Sequence, residues 1–298
     1  MYPFGRGIAR HLPMALLMLP LLLYVIFAFG PSVATVFFSF TNATGLPGAE
    51  WHFVGFKNYD RLFNSSDQAE RFRSIRNSLQ FAFLVVLVQN VVGLFMALLV
   101  NRKLRADSFI RATYFLPVVL GVTVSGLVWR MMMNPLGGPL TELFKKLHLD
   151  TGFLSSYGAS FEWVIFVQIW MYMGYSMTIF LAGLQSIPKD LYDAAYIDGT
   201  SRWQAFRHVT FPMIAPSTTV NLLLSIIGAL QTFDIIYVLT NGGFNTRTLA
   251  FDIYRDAIAN NTTADYGLAS AGAMVLFLFV FAIALVSLVA LRRREVDL

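Results

Sequence analysis

Residues 267–291 read GLASAGAMVLFLFVFAIALVSLVAL, and this stretch contains no charged side chain. A helix of ~20 apolar residues spans the ~30 Å hydrocarbon core of a bilayer, whereas the core of a soluble protein interleaves apolar and polar residues. The stretch therefore predicts a membrane-spanning helix. It indicates that lipid rather than water surrounds much of the chain.

Five similar blocks precede this one. The six predicted spans lie at about 14–40, 78–100, 112–133, 163–187, 215–239 and 267–291. The composition agrees, since the chain is 56% hydrophobic and 13% charged, with a mean hydropathy of +0.61. A transmembrane β-barrel would alternate apolar and polar residues over segments of ~10 residues, and this sequence does not. We predict an all-α membrane protein in which residues 1–298 form one transmembrane domain.

The distribution of lysine and arginine predicts the orientation of the spans, because short basic segments stay in the cytoplasm. Basic residues follow the second and the sixth blocks. They are Arg102, Lys103, Arg105 and Arg111 after the second block, and Arg292, Arg293 and Arg294 after the sixth. Both termini and the loop at 188–212 are therefore expected in the cytoplasm. The segments expected outside are 41–77, 134–162 and 240–266.

Three arginines disagree with this orientation. Arg71, Arg73 and Arg76 precede the second block, in the segment that is expected outside. Long segments cross the membrane largely regardless of their charge, and 41–77 is the longest outer segment. We keep the orientation.

The residue inventory excludes several kinds of site. The chain has no cysteine, so it has neither a disulfide nor a thiolate metal site, and its four histidines all lie outside the apolar blocks. The net charge of +5 forms no basic patch with interleaved aromatic residues, so nucleic acid is not an expected partner. We expect no metal, no cofactor and no catalytic residues in this chain.

The loop between the fourth and fifth blocks carries strong local signals. Residues 187–216 read IPKDLYDAAYIDGTSRWQAFRHVTFPMIAP. Pro188 suits the first position of a helix, and Gly199 suits the left-handed residue that ends one. Ser201 and Gln204 have the spacing of a capping box that opens a second helix. The sequence predicts two short helices outside the membrane.

Side chains of these two helices suggest a contact surface. Ala194 and Ala195 allow another chain to approach closely, and Trp203 shares a helical face with Phe206. The second helix is expected to end at Pro212. A docked protein partner is one interpretation, and a connector packed on its own membrane domain is the other.

The same loop resembles the EAA loop of permease subunits of binding-protein-dependent ABC importers. That pattern is E-A-A, three residues, Gly, nine residues and I-x-L-P, and this chain has DAA at 193–195, Gly199 and VTFP at 209–212. Within that superfamily the chain resembles the carbohydrate permeases of the MalF and UgpA type. Supporting stretches are FVGFKNY at 53–59, FLP at 115–117 and FDIIYVLTNGG at 233–243. Two departures are Asp193 for the usual Glu and Phe244 where Pro often follows the glycine pair.

The resemblance implies the type I ABC importer permease fold, with six spans and both termini in the cytoplasm. It also implies that the chain lies in the inner membrane of a bacterial cell. It implies a second permease subunit, two ATPase subunits that hold ATP and Mg, an extracytoplasmic solute-binding protein and a sugar substrate. The residues that would couple to the ATPase are Asp193, Ala194, Ala195, Asp198, Gly199, Trp203 and Phe206. No lysine follows a glycine in this chain, so it lacks the phosphate-binding loop of an ATPase.

Polar residues within the spans are candidates for substrate contact, because such groups are costly in lipid unless they line a cavity or bind protein. Two helical stripes stand out; the second includes Gly228 and has Gln231 beside it. The candidates are Gln168, Tyr172, Tyr175, Asn221, Ser225 and Thr232. Amides, hydroxyls and aromatic faces suit a neutral sugar. Alternatively, these residues only hold helices together.

Asp234 is the one acidic residue within a spanning block. An acid in a membrane span suggests a proton relay. Its place near the outer end favours a structural or gating role instead.

Two other classes of protein agree less well with this sequence. An ion-gradient-driven secondary transporter would show two repeated halves, which are not visible here. A membrane enzyme would need acids and histidines that converge within the spans, or a set of metal ligands there, and the apolar blocks do not contain such a set.

Overall fold

The computed structural model describes residues 16–46, 48–64, 67–101, 107–259 and 264–292. Within these ranges the chain is helical, with two isolated β-bridges and no strand. The prediction of an all-α fold is confirmed. The basic residues at 102, 103, 105, 293 and 294, on which the predicted orientation largely rests, lie outside the described residues.

The described chain contains both long and short helices. In order they are α1 (Leu16–Phe38), α2 (Lys57–Asn64), α3 (Gln68–Val100), α4 (Asp107–Met132), α5 (Pro139–Lys146), α6 (Ala159–Ser186), α7 (Lys189–Ile197), α8 (Arg202–Met213), α9 (Ala215–Gln231), α10 (Asp234–Thr240), α11 (Leu249–Tyr254) and α12 (Tyr266–Arg292). Five of them, α1, α3, α4, α6 and α12, are long and apolar enough to cross a membrane.

The fifth predicted span differs from a single straight helix. The predicted block at 215–239 is broken where Thr232 and Phe233 leave the helical conformation, between α9 and α10. With 17 residues, α9 extends ~25 Å and falls short of the ~30 Å core. It joins α8 at a bend of 65°, and this bent pair gives the sixth span if it is counted as one.

The helix α4 is interrupted within the apolar block. Gly121 has φ 75° and ψ 165°, a conformation that essentially only glycine adopts. Pro117 lies one turn earlier and has no N–H to donate, and its own carbonyl oxygen accepts a hydrogen bond of 3.3 Å from the Ser125 hydroxyl. The predicted third span therefore consists of two helical pieces.

The chain packs as two compact units. The first contains the described residues up to Gln68 together with Ile253–Val275. In this unit the Asn58 amide donates to the carbonyl oxygens of Ser39 and Thr41, at 3.0 and 2.7 Å. Arg61 pairs with Asp265 at 2.8 Å. These contacts give the segment after α1 a defined structure.

Aromatic side chains of the first unit surround Phe40. Its ring contacts those of Phe53, Phe56 and Tyr59, with centroids 6.2, 5.3 and 5.6 Å apart. The Tyr59 hydroxyl also donates to the Ser39 hydroxyl at 2.8 Å. Phe53 and Phe56 nevertheless stay more than 70% exposed. The cluster is thus packed on one side and free on the other.

The second unit contains Ala69–Asp252 and the described residues from Leu276 onward. Its core includes Phe81, Val164 and Ile235, which are fully buried. Small residues let its helices approach closely. A Cβ on Gly174 of α6 would lie 2.0 Å from the Tyr114 carbonyl oxygen of α4, so only glycine fits there.

Candidate functional site

A cavity of about 330 Å³ lies between α3, α6, α9 and α10 of the second unit. Its volume falls within the ~300–1,000 Å³ typical of small-molecule sites. Gly228 and Gln231 line it. So do all six residues predicted for substrate contact, which are Gln168, Tyr172, Tyr175, Asn221, Ser225 and Thr232. The tertiary structure therefore brings the two predicted stripes to one place.

The break after α9 adds a third element to the cavity wall. In a continuous helix each residue turns by ~100°, so Asp234 would point away from the face that Thr232 occupies. Because the chain leaves the helix at Thr232, both Asp234 and Thr232 line the cavity. The Asp234 carboxylate accepts a hydrogen bond of 2.9 Å from the Ile235 backbone N–H.

Two of the predicted residues bind their own protein. The Asn221 amide donates to the Asn90 side-chain oxygen at 2.9 Å, and the Asn90 amide donates to the Ser225 hydroxyl at 2.9 Å. All three side chains are buried. Asn221 and Ser225 thus link α9 to α3, as the alternative interpretation of the stripes requires.

Gln168 is only partly satisfied. Its amide nitrogen donates to the Thr232 hydroxyl across 3.5 Å, a long hydrogen bond. Its amide oxygen is buried and has no hydrogen-bond partner among the described residues. Buried polar atoms in native proteins nearly always have partners, so this oxygen is a candidate acceptor for a ligand hydroxyl.

Three further polar side chains line the cavity. Within the described chain, no hydrogen bond involves the hydroxyls of Tyr172 and Tyr175 or the side-chain amide of Gln231. Tyr175 is 38% exposed, and Gln231 is exposed as well. These three side chains combine aromatic faces with free donors and acceptors, which suits a saccharide.

Sequence reasoning did not include Gln89 of α3, which also lines the cavity and donates to the Ser176 hydroxyl at 2.8 Å. The adjacent amides Gln89 and Asn90 lie within the second apolar block, so the criterion of polar residues inside a span could have found them.

The loop at 188–212 forms two helices around a left-handed glycine, as predicted. Gly199 has φ 74° between α7 and α8. The capping box is present, since the Ser201 N–H donates to the Gln204 side chain at 2.8 Å and the Gln204 N–H donates to the Ser201 hydroxyl at 3.3 Å.

Two details of this loop differ from the sequence prediction. Pro188 is the N-cap of α7 rather than its first residue. The helix α8 does not end at Pro212 but continues to Met213. The Phe211 N–H bonds the Phe206 carbonyl oxygen in a π-helical turn, and Pro212 then opens the next helical turn, where no N–H donor is needed.

The predicted coupling residues divide by exposure. Asp193, Ala194, Asp198 and Gly199 are exposed, and Trp203 is 68% exposed. Ala195 is buried instead, and its carbonyl oxygen accepts a hydrogen bond of 2.7 Å from the Thr200 hydroxyl.

Apolar surface of α7 and α8 remains uncovered. Phe206 is half-buried and stacks on Trp203 with ring centroids 5.5 Å apart. Tyr196 and Ile197 are each 83% exposed, and the sequence analysis had not singled them out. The two helices therefore pack on their own chain and also leave several large apolar side chains exposed, which is typical of an interaction surface.

A second, polar groove of about 390 Å³ lies beside the N-terminal turns of α3. The Asn77 amide donates to the carbonyl oxygens of Asn245 and Arg247, at 2.6 and 3.0 Å. Arg73 donates to the Asn245 side chain at 3.1 Å, and Arg247 pairs with Glu70 at 2.6 Å. Two of the charged residues that precede the second span, Glu70 and Arg73, thus have partners within the chain.

The chain is a multi-pass helical protein with a polar cavity among its helices, an arrangement that suits the class of membrane permeases. The chain belongs to the family of binding-protein-dependent transport system inner membrane components, whose sequence profile matches residues 89–295.

Two relatives and one solved structure resemble the chain over nearly its full length. It is 32% identical to the Probable starch degradation products transport system permease protein AmyD of Thermoanaerobacterium thermosulfurigenes, over 99% of this chain and 98% of the relative. It is 33% identical to the trehalose/maltose transport system permease protein MalF of Thermococcus litoralis, over 92% and 91%. Its fold matches a bacterial ABC transporter involved in the import of the acidic polysaccharide alginate, with a TM-score of 0.82, 22% identity and coverage of 98% and 99%.

Proposed function

We propose that this chain is one of two permease subunits that together form the pathway of an ATP-driven importer for a sugar. The observation that carries the proposal is the convergence of all six candidate residues for substrate contact on one cavity in a chain of this family. The names of the relatives AmyD and MalF, which refer to starch degradation products and to trehalose and maltose, support a saccharide substrate.

The exposed rim of the cavity supports a second permease subunit as partner. Tyr175, Leu224 and Phe233 line the cavity and remain 37–44% exposed. A substrate held there would touch water or lipid on one side. A second subunit placed against this rim would enclose the substrate, as small-molecule sites require.

The helices α7 and α8 are the proposed contact with a pair of ATPase subunits. Trp203, Tyr196 and Ile197 offer an apolar anchor, and the exposed carboxylate of Asp193 offers a partner for a basic residue. ATP and Mg would be held by those ATPase subunits, and this chain would take part in no chemical step.

The family description supports an inner membrane location, and we place the chain in the inner membrane of a bacterial cell with both termini in the cytoplasm. In this orientation the groove around Arg73 and Asn245 faces the side from which an extracytoplasmic solute-binding protein delivers the sugar. An ion-gradient-driven carrier without an ATPase is disfavoured, because the family depends on binding proteins.

The test is reconstitution of this chain with its second permease, its ATPase and its binding protein in proteoliposomes. We expect saccharide uptake that requires both ATP and the binding protein. Uptake driven by an ion gradient without ATP would contradict the proposal and favour a secondary transporter.

A further inference from the structure

The polar groove beside α3 contains buried side chains whose polar atoms lack hydrogen-bond partners. Ser74 is 1% exposed and Asn77 is 5% exposed, and both line the groove. The Ser74 hydroxyl makes no hydrogen bond to any described residue, and the Asn77 side-chain oxygen accepts none from them. Buried polar atoms in native proteins nearly always have a partner. One face of α3 therefore offers two open hydrogen-bonding positions to a ligand in the groove.

Another part of the groove wall is aromatic. Tyr157 and Phe244 line the groove and pack edge to face, with ring centroids 5.6 Å apart. Tyr157 is 74% exposed, and its hydroxyl has no hydrogen-bond partner in the described part of the chain. An aromatic face beside open donors and acceptors suits the C–H surface and the hydroxyls of a saccharide.

The aromatic wall depends on an unusual backbone conformation. Phe244 has φ 52° in the loop after α10, and Asn245 beside it has φ 62°. A bulky residue at positive φ is uncommon and strained, and such residues cluster at binding and active sites. Phe244 also stands where permeases of the MalF and UgpA type often have proline after the glycine pair. The aromatic wall is thus a feature of this chain and departs from the family pattern.

Charged residues of both signs line the same groove. Arg73 donates to the Asn245 side chain at 3.1 Å, and Arg247 pairs with Glu70 at 2.6 Å. These contacts hold the loop after α10 against α3. Each guanidinium carries five N–H donors, which is more than these contacts use, so donors remain for ligand hydroxyls.

The polar groove and the cavity lie along one face of α3. Ser74, Asn77, Phe81, Val85 and Gln89 follow one another at spacings of three or four residues and so form one helical stripe. Ser74 and Asn77 line the groove, whereas Val85 and Gln89 line the cavity. The helix rises ~12 Å from Asn77 to Val85, and the fully buried Phe81 lies between them. The groove is therefore a separate compartment, nearer to the N-terminal end of α3.

We infer that the polar groove is an outer subsite that binds the saccharide before it reaches the cavity. The inference rests on the proposed function and adds a second binding site to it. The groove volume of about 390 Å³ is that of a small-molecule site, whereas a protein partner needs ~800 Å² of surface on each side. A sugar hydroxyl both donates and accepts, so it can pair with Ser74, with Asn77 or with Tyr157.

The lack of cysteine in this chain allows a direct test. The complete transporter is placed in lipid nanodiscs, where both faces are accessible, without its binding protein. Ser74→Cys introduces a thiol at the groove, and the measured quantity is the rate at which a small methanethiosulfonate reagent modifies this chain. The probe is the saccharide that the binding protein retains from a panel of sugars that includes trehalose and maltose.

We expect the probe to protect the thiol at position 74. At about ten times its dissociation constant the probe should slow modification roughly tenfold, because only the unoccupied groove reacts. Leu136→Cys is the control for the reagent, since Leu136 is 94% exposed and lies outside the groove. Its modification should be unaffected by the probe.

Three further variants in the Ser74→Cys background assign the protection to the groove. Tyr157→Ala should raise the probe concentration for half-maximal protection roughly tenfold, because it removes an aromatic face and a hydroxyl. Tyr24→Ala is the matched control, since Tyr24 is also exposed but lies on α1. Gln168→Leu alters the cavity and not the groove. Neither Tyr24→Ala nor Gln168→Leu should change the protection.

Absence of protection by the probe would overturn the inference. Loss of the protection in Gln168→Leu would also overturn it, because the cavity would then be responsible. Protection by the sugar-free binding protein but not by the probe would show instead that the groove is a docking surface for that protein. Should Ser74→Cys fail to react, Arg73→Cys decides, since Arg73 is exposed at the same groove. Absence of ATP-dependent saccharide uptake by the wild type would overturn the proposed function, whatever the groove binds.

Discussion

The side-chain amide of Asn221 in α9 donates a hydrogen bond of 2.9 Å to the side-chain oxygen of Asn90 in α3. The Asn90 amide continues this link to the Ser225 hydroxyl. Polar residues of the cavity thus serve two purposes. Those with internal partners hold the helices in place, and those with free groups are available to a ligand.

Replacing Asn90 should damage the assembly of the helices. In Asn90→Leu the buried amide of Asn221 loses its acceptor, at ~1–3 kcal/mol for the unsatisfied group, whereas the Ser225 hydroxyl keeps its hydrogen bond to the Asn221 carbonyl oxygen. We expect a lower midpoint of thermal unfolding for the purified transporter. Gln80→Leu is the matched control, since Gln80 is exposed on the same helix. Equal stability of the two variants would show that the hydrogen bonds of Asn90 do not contribute to the stability of the transporter.

Removing a free hydroxyl should affect transport without affecting stability. Tyr172→Phe loses one hydrogen bond to the substrate, worth ~0.5–1.5 kcal/mol, which corresponds to a roughly two- to tenfold rise in the substrate concentration needed for half-maximal uptake. Tyr24→Phe on α1 is the control, because Tyr24 lies outside the cavity. Unchanged uptake by Tyr172→Phe and by Gln168→Leu, at normal protein level, would show that neither residue contacts the substrate.

Reversing the charge of Asp193 should uncouple ATP hydrolysis from transport. If lysine replaces a carboxylate that is buried at an interface, the basic partner is left as an unpaired buried charge. The loss of binding free energy is then ~2–5 kcal/mol or more. Asp193→Glu keeps the charge and should remain active. The measurement is ATP hydrolysis stimulated by the loaded binding protein, with Glu50→Lys as a charge reversal at an exposed site elsewhere. Normal stimulation in Asp193→Lys would mean that the loop is only a connector.

The conformation of Gly199 gives a graded prediction. Its φ is 74°, and a Cβ built there meets no atom within 4 Å, so the cost of a substitution comes from the backbone alone. Gly199→Asn should be tolerated, since asparagine adopts the left-handed region readily, whereas Gly199→Val should be strained by at least ~1–2 kcal/mol. We expect Gly199→Val to lower stimulated ATP hydrolysis.

The control for this strain is Gly48→Val, since Gly48 has φ 79° and is equally open. It should leave stimulated ATP hydrolysis at the wild-type level. Equal losses in the two valine variants would point to general misfolding rather than to the α7–α8 turn.

The orientation is testable because the chain has no cysteine. A cysteine at Leu136, which is 94% exposed, should react with a membrane-impermeant thiol reagent in intact cells. A cysteine at Ser201, also exposed, should react only after the cells are opened. The reverse pattern would invert the orientation.

Features that depend on residues close in the sequence were predictable. The apolar blocks identified the spanning helices, because the length of a span follows from the thickness of the bilayer. Gly199 and the capping box of Ser201 were also predictable, since each involves hydrogen bonds or dihedral angles within a few residues. The two polar stripes followed from helical periodicity alone.

Tertiary structure decided which polar residues are free and which are occupied. The partner of Asn221 lies on α3, far away in sequence, and no periodicity predicts which amide of α3 will face it. Likewise, Asp234 reaches the cavity only because α9 ends at Gln231, and hydropathy had indicated an unbroken span there. Hydropathy reports how much each residue favours lipid over water, whereas hydrogen-bond partners and helix breaks depend on which surfaces meet after packing.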